Sequence, residues 1–265
     1  MSEYLVEMND ITVQFPGVLA LDHVHFDAKP GEVHVLLGEN GAGKSTIMKV
    51  LAGVNTNYEG EIIYKGEKIV SRSIEEQRER GVSIIFQELN QLKNLTVAEN
   101  IFMGRQPTKA SGQIDWKTMN RKARELLDSI HSDISEKAQV SSLSVGQMQM
   151  VEIAKALSFD CDIIIMDEPT SALTEKEVAS LFEIIDGLKK KGVAIVYISH
   201  RLEEIMKIGD RLTIFRDGKY IDTVNVKDIT IDQMVAMMVG REMTDYYPKV
   251  DVKPGEKLLE VTDIR

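Results

Sequence analysis

Residues 38–46 place Gly38, Asn40, Gly41 and Gly43 ahead of Lys44, Ser45 and Thr46, and an apolar run, Val33 to Leu37, leads straight into them. Ile47 to Leu51 then carries a short helical pattern that Gly53 can close. A buried strand, a glycine-rich turn and a helix in immediate succession form the setting of a phosphate-binding P-loop. The glycines let the backbone curl until successive N–H groups point inward at a polyphosphate. The helix start adds the positive end of its dipole, and Lys44 adds a full charge. Ser45 is placed to ligate a magnesium ion between the β- and γ-phosphates. The segment predicts a site for a nucleoside triphosphate with Mg2+.

At 265 residues the chain can form one large domain or two small ones with ample core. No apolar run approaches the roughly 20 residues that a membrane span needs, and the first residues lack a signal-peptide pattern. The single cysteine, Cys161, excludes an internal disulfide and fits a reducing cytosol. It stands at the mouth of an apolar strand and reads as a small buried residue rather than a nucleophile. The formal net charge is −10, with basic residues scattered among acidic ones, so nucleic acid is disfavoured as a partner. Lys189-Lys190-Lys191 reads as a helix C-terminus complementing its dipole.

The opening segment alternates at Leu5 to Met8, Ile11 to Val13 and Val24 to Phe26, predicting three short strands of a mixed or antiparallel edge sheet. Further strands are predicted at Glu61 to Tyr64, Val82 to Phe86, Ile163 to Met166, Val193 to Ile198 and Leu212 to Phe215. From about Val97 to Leu157 the pattern is helical, most clearly over Trp116 to Ile130, and Glu175 to Lys190 forms another helix. Strands separated by helices imply parallel units covered on both faces, here interrupted by a helical insert. Lys257 to Ile264 echoes Tyr4 to Ile11 almost position for position, with a Pro-containing stretch before it. The echo predicts that a second copy of the domain begins at the tail.

The strand Ile163 to Met166 delivers Asp167 and Glu168 at its C-terminal end, where open α/β sheets bind ligands. Strand alternation predicts that the two carboxylates point to opposite sides and do different work. Asp167 suits a metal's water shell, and Glu168 suits a general base acting on water. Ser144 with Gln147 fits a capping box opening the helical run from Met148 to Leu157. That helix start offers free N–H groups and a hydroxyl as a second phosphate-binding device.

The P-loop, the run Leu143-Ser144-Val145-Gly146-Gln147 and the run Asp167-Glu168-Pro169-Thr170, in that order, resemble the nucleotide-binding domain of ABC transporters. The likeness covers Tyr4 to about Gly240. The wording of Leu143 to Gln147, Thr170 to Thr174 and Ser199 to Leu202 is similar to the tandem ATPase subunits of monosaccharide importers. The resemblance implies an α/β P-loop NTPase core with a mainly parallel sheet, an antiparallel β subdomain and an inserted helical subdomain. It implies a domain over residues 1–243 with the insert at about 96–158, a linker at 244–256 and the start of a second domain at 257–265. It makes the nucleotide ATP, stacked on Phe15 and held by Gly38, Asn40, Gly41, Gly43, Lys44, Ser45 and Thr46. Ser144, Gly146 and Gln147 would hold the phosphates of a partner's site. Ser45, Gln87 and Asp167 would serve Mg2+, while Glu168, His200 and Gln87 form the catalytic set. Two departures stand out: Val145 where many relatives have a second glycine, and Thr174 where many have aspartate. Thr174 and Glu177 still fit a capping box for the next helix.

The expected function is an ATPase that drives monosaccharide import from the cytoplasmic face of the membrane. Its partners would be a second ABC domain of the same chain or another copy, transmembrane permease subunits and, indirectly, an extracellular or periplasmic sugar-binding protein. The alternatives are a soluble tandem ATPase acting on ribosomes or DNA and a regulatory module without turnover. The short linker and the −10 charge disfavour the first, and intact Glu168 and His200 disfavour the second.

Overall fold

The computed structural model describes residues 3–240 and residue 262, so the expected linker and all but one residue of the tail echo lie outside the described residues. The chain opens with a long hairpin, β1 (Val6–Phe15) and β2 (Val18–Ala28), where the sequence predicts three short strands. The breaks in the apolar pattern mark bulges instead of strand ends. Asp10 (φ 57°) and His23 (φ 51°) take left-handed backbone, and the β1–β2 register shifts between Met8 and Ile11. The two side chains then pair at 2.8 Å, which raises the His23 pKa through the Asp10 hydrogen bond.

Next come β3 (Val33–Leu37), α1 (Lys44–Leu51), β4 (Glu59–Tyr64), β5 (Glu67–Ile69), α2 (Ile74–Glu79) and β6 (Val82–Ile85). The insert follows as α3 (Val97–Ile101), α4 (Trp116–Ser129) and α5 (Val145–Leu157). The chain returns through β7 (Ile163–Asp167), α6 (Glu175–Lys190), β8 (Ala194–Ile198), α7 (Leu202–Ile208), β9 (Arg211–Arg216), β10 (Lys219–Asn225) and α8 (Ile231–Val239). The hairpin joins β4 and β5 in a four-stranded antiparallel sheet ordered β2-β1-β4-β5. The second sheet has six strands ordered β10-β9-β3-β8-β7-β6. All its pairs are parallel except β10 with β9, so the edge is antiparallel.

Side-chain alternation along the central strands divides the interior into two cores. Ile164, Met166, Ile195 and Tyr197 face the helical insert and α6. Ile163, Ile165, Val196 and Ile198 face the opposite way, onto α1 and the antiparallel sheet. Every residue of β3, β7 and β8 is buried, as both-sided covering demands. In α4, Met119, Ala123 and Leu127 form a stripe at four-residue spacing that packs into the first core. Cys161 is half-buried at the head of β7, and burial pushes its thiol pKa up to about 11, away from reactivity. Among the described residues, no helix is long and apolar enough to cross a membrane.

Gly60 locks β4 onto the β1 bulge. Its φ is +99°, and a Cβ there would lie 2.4 Å from the Asp10 carbonyl oxygen. Gly66 (φ +81°) has nothing within 4 Å of its Cβ position. Left-handed strain alone costs about 1–2 kcal/mol for an L-residue. Gly66→Ala should therefore cost about that much in urea unfolding, and Gly60→Ala clearly more. Equal costs would mean that the bulge yields freely.

Candidate functional site

The loop leaving β3 is shaped by glycines at close approaches. Gly43 has φ +97°, and a Cβ on it would come within 2.4 Å of Leu21 Cδ2 and 2.9 Å of the Ala20 carbonyl oxygen. At Gly38 a Cβ would lie 2.3 Å from the Phe215 carbonyl oxygen. The loop thus threads between β2 and the end of β9 where no side chain fits. Gly43 is the N-cap of α1 and supplies no side-chain cap, so the first N–H groups of that helix stay available. Lys44 is buried, and its ammonium donates to the carbonyls of Gly38 (2.8 Å) and Glu39 (2.9 Å), drawing the loop around itself. Burial lowers its pKa, while Glu168 and Asp167 pull it back up. Asn40 and Gly41 are exposed at the rim, and Ser45 and Thr46 are half-buried behind it.

Asp167 is the last residue of β7 and is buried. Burial raises its pKa and Glu168 raises it further, against a hydrogen bond from the Ser45 hydroxyl and the charges of Lys49 and Lys44. Glu168 corrects one expectation from the sequence. The strand stops at Asp167, and Glu168 has φ 48°, so a left-handed turn separates the two carboxylates, not strand alternation. The backbone N–H of Glu168 donates to the Ile198 carbonyl at 3.0 Å, which stabilises the turn. Its carboxylate gathers two other residues. Gln87 Nε2 donates to Oε2 at 3.0 Å, and His200 Nδ1 lies 3.1 Å from Oε1. A bond to a carboxylate makes Nδ1 the donor, which leaves Nε2 free to interact with another group.

Lys44, His200, Glu168 and Gln87 therefore come from the carboxyl ends of β3, β8, β7 and β6, which are adjacent in the sheet in that order. Ser144, Gly146 and Gln147 form a separate feature. The capping box closes as expected: the Ser144 hydroxyl accepts from Gln147 N (3.2 Å), and Gln147 Oε1 accepts from Ser144 N (3.0 Å). These bonds stay within the cap. A Cβ on Gly146 would lie 3.0 Å from the Ala172 carbonyl oxygen, whereas Val145 is 54% exposed and turns outward. The Thr174–Glu177 capping box also forms, at the start of α6. Phe15 ends β1 half in solvent, beside a shallow cavity of about 480 Å³ shared with Gln14, Asn57 and Tyr58. The sequence reading missed a buried carboxylate, Glu204, whose three hydroxyl donors lie just behind Glu168 and His200. Its only signal is its place next to Ile205 on the buried face of α7.

A P-loop at the end of the parallel strand β3, with carboxylates delivered by β7 across the intervening β8, defines an α/β P-loop nucleotide-binding protein. The chain belongs to the ABC transporter family, whose profile matches residues 21–171. It is 49% identical over 262 residues to a putative ribose/galactose/methyl galactoside import ATP-binding protein of Halalkalibacterium halodurans, covering 98% of this chain and 50% of that protein. It is 48% identical over 263 residues to a galactose/methyl galactoside import ATP-binding protein of Clostridium perfringens, covering 99% of this chain and 51% of that one. The chain spans about half the length of these curated relatives. Among solved structures it resembles an ATP-binding cassette of an ABC transporter in its ADP conformation. That match has a TM-score of 0.77 and 26% identity, and covers 91% of this chain and 100% of the other. A dimeric bacterial ABC transporter cassette shares the fold at a TM-score of 0.73 and 24% identity, over 83% of this chain and 98% of that one.

The raised pKa of Asp167 carries a stability prediction. The folded protein holds that proton to a higher pH than the unfolded chain does, so the cost of the ionised group builds as the pH rises past the unfolded pKa and is complete above the folded one. Asp167→Asn should raise the melting temperature of the ligand-free protein at pH 7 by a few degrees. The difference should shrink as the pH falls and wild-type Asp167 takes up its proton. An Asp167→Asn protein that melts lower at pH 7 would contradict the burial cost.

Proposed function

We propose that the chain is the ATP-hydrolysing part of an ABC transporter that imports a monosaccharide of the ribose, galactose or methyl galactoside kind. The observation that carries the hydrolytic reading is the convergence of Gln87 and His200 on the Glu168 carboxylate, beside the loop closed by Lys44. The names of relatives at 48–49% identity support the sugar class. The domain would occupy residues 1–243, with its helical insert at about 96–158. Residues 244–256 would be a linker, and 257–265 would begin a second ABC domain. The tail echo supports that tandem reading, and so does a match to about half of each relative.

In this reading the N–H groups of the P-loop, with Gly38, Asn40, Gly41, Gly43 and Thr46, cradle the phosphates, and Lys44 supplies charge to the β- and γ-groups. Phe15 stacks on adenine from the rim. The donor set suits Mg2+, which takes oxygen ligands: the Ser45 hydroxyl, the Asp167 carboxylate and the Gln87 amide oxygen. Asp167, buried and raised in pKa, is short of positive charge, which a cation would supply. When bound, Mg2+ would neutralise phosphate charge. Glu168 accepts the proton of the attacking water, and His200, with Nδ1 held by Glu168, presents Nε2 to the γ-phosphate. Ser144, Gly146 and Gln147 serve the site of a partner domain, in the same protein or in a second copy. Permease subunits would hold the assembly at the cytoplasmic face of the membrane, and a sugar-binding protein outside would deliver the substrate.

Glu168→Gln should keep ATP binding and lower kcat by about 10²–10⁴-fold, the usual range for losing a general base. Turnover within a few-fold of wild type would remove Glu168 from that role. The 265-residue chain should hydrolyse ATP slowly when dilute and faster per molecule as its concentration rises, because each site needs the Ser144–Gln147 segment of another domain. One such stabilising element is worth about 10²–10³ in rate. A fast rate that is flat with dilution, from a verified monomer, would overturn the shared site.

A further inference from the structure

We propose that Glu204 is a positioning residue, whose buried carboxylate ties together the two chain segments that carry Glu168 and His200 and fixes their spacing. The proposal rests on the hydrolytic reading of this site for its kinetic consequence, though the tie itself can be read without turnover. Glu204 lies in α7 and is only 5% exposed. A carboxylate in the interior is costly unless its oxygens are hydrogen-bonded or paired with charge, and one oxygen of this one takes three hydrogen bonds. Its Oε2 accepts from Thr170 Oγ1 (3.0 Å), Tyr197 OH (2.8 Å) and Ser199 Oγ (3.1 Å). Its Oε1 is buried without a hydrogen bond and is balanced only by the ion pair with the Arg201 guanidinium at 2.7 Å, so the gathering of segments falls to Oε2.

The donors explain what the carboxylate does. Thr170 follows Glu168 by two residues, and Ser199 immediately precedes His200. Strands β7 and β8 are hydrogen-bonded as far as the row pairing Asp167 with Ile198, and one further bond joins Glu168 N to the Ile198 carbonyl. Beyond that row the backbones part, and no ladder holds the two segments together. Glu204 takes over at this point as a side-chain clamp. Ser199 Oγ donates to Glu204 while accepting from Arg201 N at 3.0 Å, so the turn carrying His200 is held on both sides. The Tyr197 phenol closes the clamp from below; burial and the adjacent Glu204 push its pKa up, so it remains a donor. An aliphatic residue could fill the space between α7 and β8, as Ile205 does, but could not gather these hydroxyls. Above the clamp, the contact it protects is the 3.1 Å approach of His200 Nδ1 to Glu168 Oε1.

The test uses the whole chain and three variants: Glu204→Gln, which keeps the size, and Thr170→Val and Ser199→Ala, which each remove one tie. Glu204→Gln should lower kcat by about tenfold to a hundredfold, the scale of a roughly 1 Å misplacement near a reacting centre. The ATP KM should stay within about threefold, because the phosphate cradle lies on β3 and α1. The His200 ring resonances of the ligand-free protein should shift, and Thr170→Val and Ser199→Ala should reproduce both effects more weakly. Unchanged kcat with unshifted His200 resonances would overturn the proposal. It would also fail if kcat and KM worsened together in step with a lower melting temperature while the single-tie variants were silent. If Glu204→Gln does not fold, the single-tie variants decide by the same criteria. If the wild-type chain turns over no ATP at any concentration, the hydrolytic reading fails. The His200 resonances then decide the clamp alone: a shift in the variants supports it, and none overturns it.

Discussion

The register of four parallel strands sets everything at this end of the molecule. Leu36 of β3 pairs with Ile198 of β8, Ile198 pairs with Asp167 of β7, and Met166 pairs with Ile85 of β6. Gly38, His200, Glu168 and Gln87 all lie one or two residues past these rows. Strand side chains alternate with a period of two, so a one-residue slip of β7 would exchange the faces of Ile163 through Met166. It would also withdraw Asp167 from Ser45. Both faces of β7 are covered by apolar cores, so a slipped register has no exposed face that would favour it. The precision of the polar cluster is therefore inherited from the packing of Ile, Val and Met beneath it.

The electrostatics follow from the same crowding. Lys44, Asp167 and Glu168 are drawn from two strands into a poorly solvated corner, where burial acts against the charged form of both Lys44 and Asp167. Each also feels the opposite charge of its neighbours, which offsets part of that cost. The ammonium turns to two loop carbonyls, and the carboxylates turn to Ser45, Gln87 and His200. These are hydroxyl, amide and imidazole groups that can be exchanged for other partners without unfolding the loop. Such a corner suits a highly charged ligand, because the desolvation of its side chains is already built into the fold.

Much of this arrangement was legible in the sequence where local chemistry decides it. The glycine pattern before Lys44 fixes a strand–turn–helix passage, and the caps at Ser144 and Thr174 form with their predicted partners Gln147 and Glu177. The apolar runs at Ile163 and Val193 become central strands because only a doubly covered strand tolerates them. What stayed hidden depends on contacts between distant segments. Asp10 and His23 look like the ends of short strands, yet their left-handed backbone lets one long hairpin bend and continue. The turn at Glu168 is stabilised by a carbonyl of β8, which no local pattern announces. The carboxylate of Glu204 looks like a solvated helix position until the hydroxyls of Thr170, Tyr197 and Ser199 are brought to it by the sheet.

The departures at Val145 and Thr174 find their physical sense in the contact between α5 and the turn after β7. Gly146 faces the Ala172 carbonyl and the Glu177 carboxylate so closely that a Cβ would lie 3.0–3.1 Å from them. The glycine that matters for packing is therefore Gly146, while Val145 points outward and leaves this contact undisturbed. Thr174 holds Glu177 in its capping box, so the carboxylate that Gly146 meets is the one the cap positions. The turn from Thr170 to Thr174 is thus bounded by Glu204 at its start and by α5 against its middle. Only five residues, Thr170 to Thr174, separate Pro169 from α6, and the start of α5 packs against them, so the carboxylate cluster and that helix start share one short and closely packed stretch of chain.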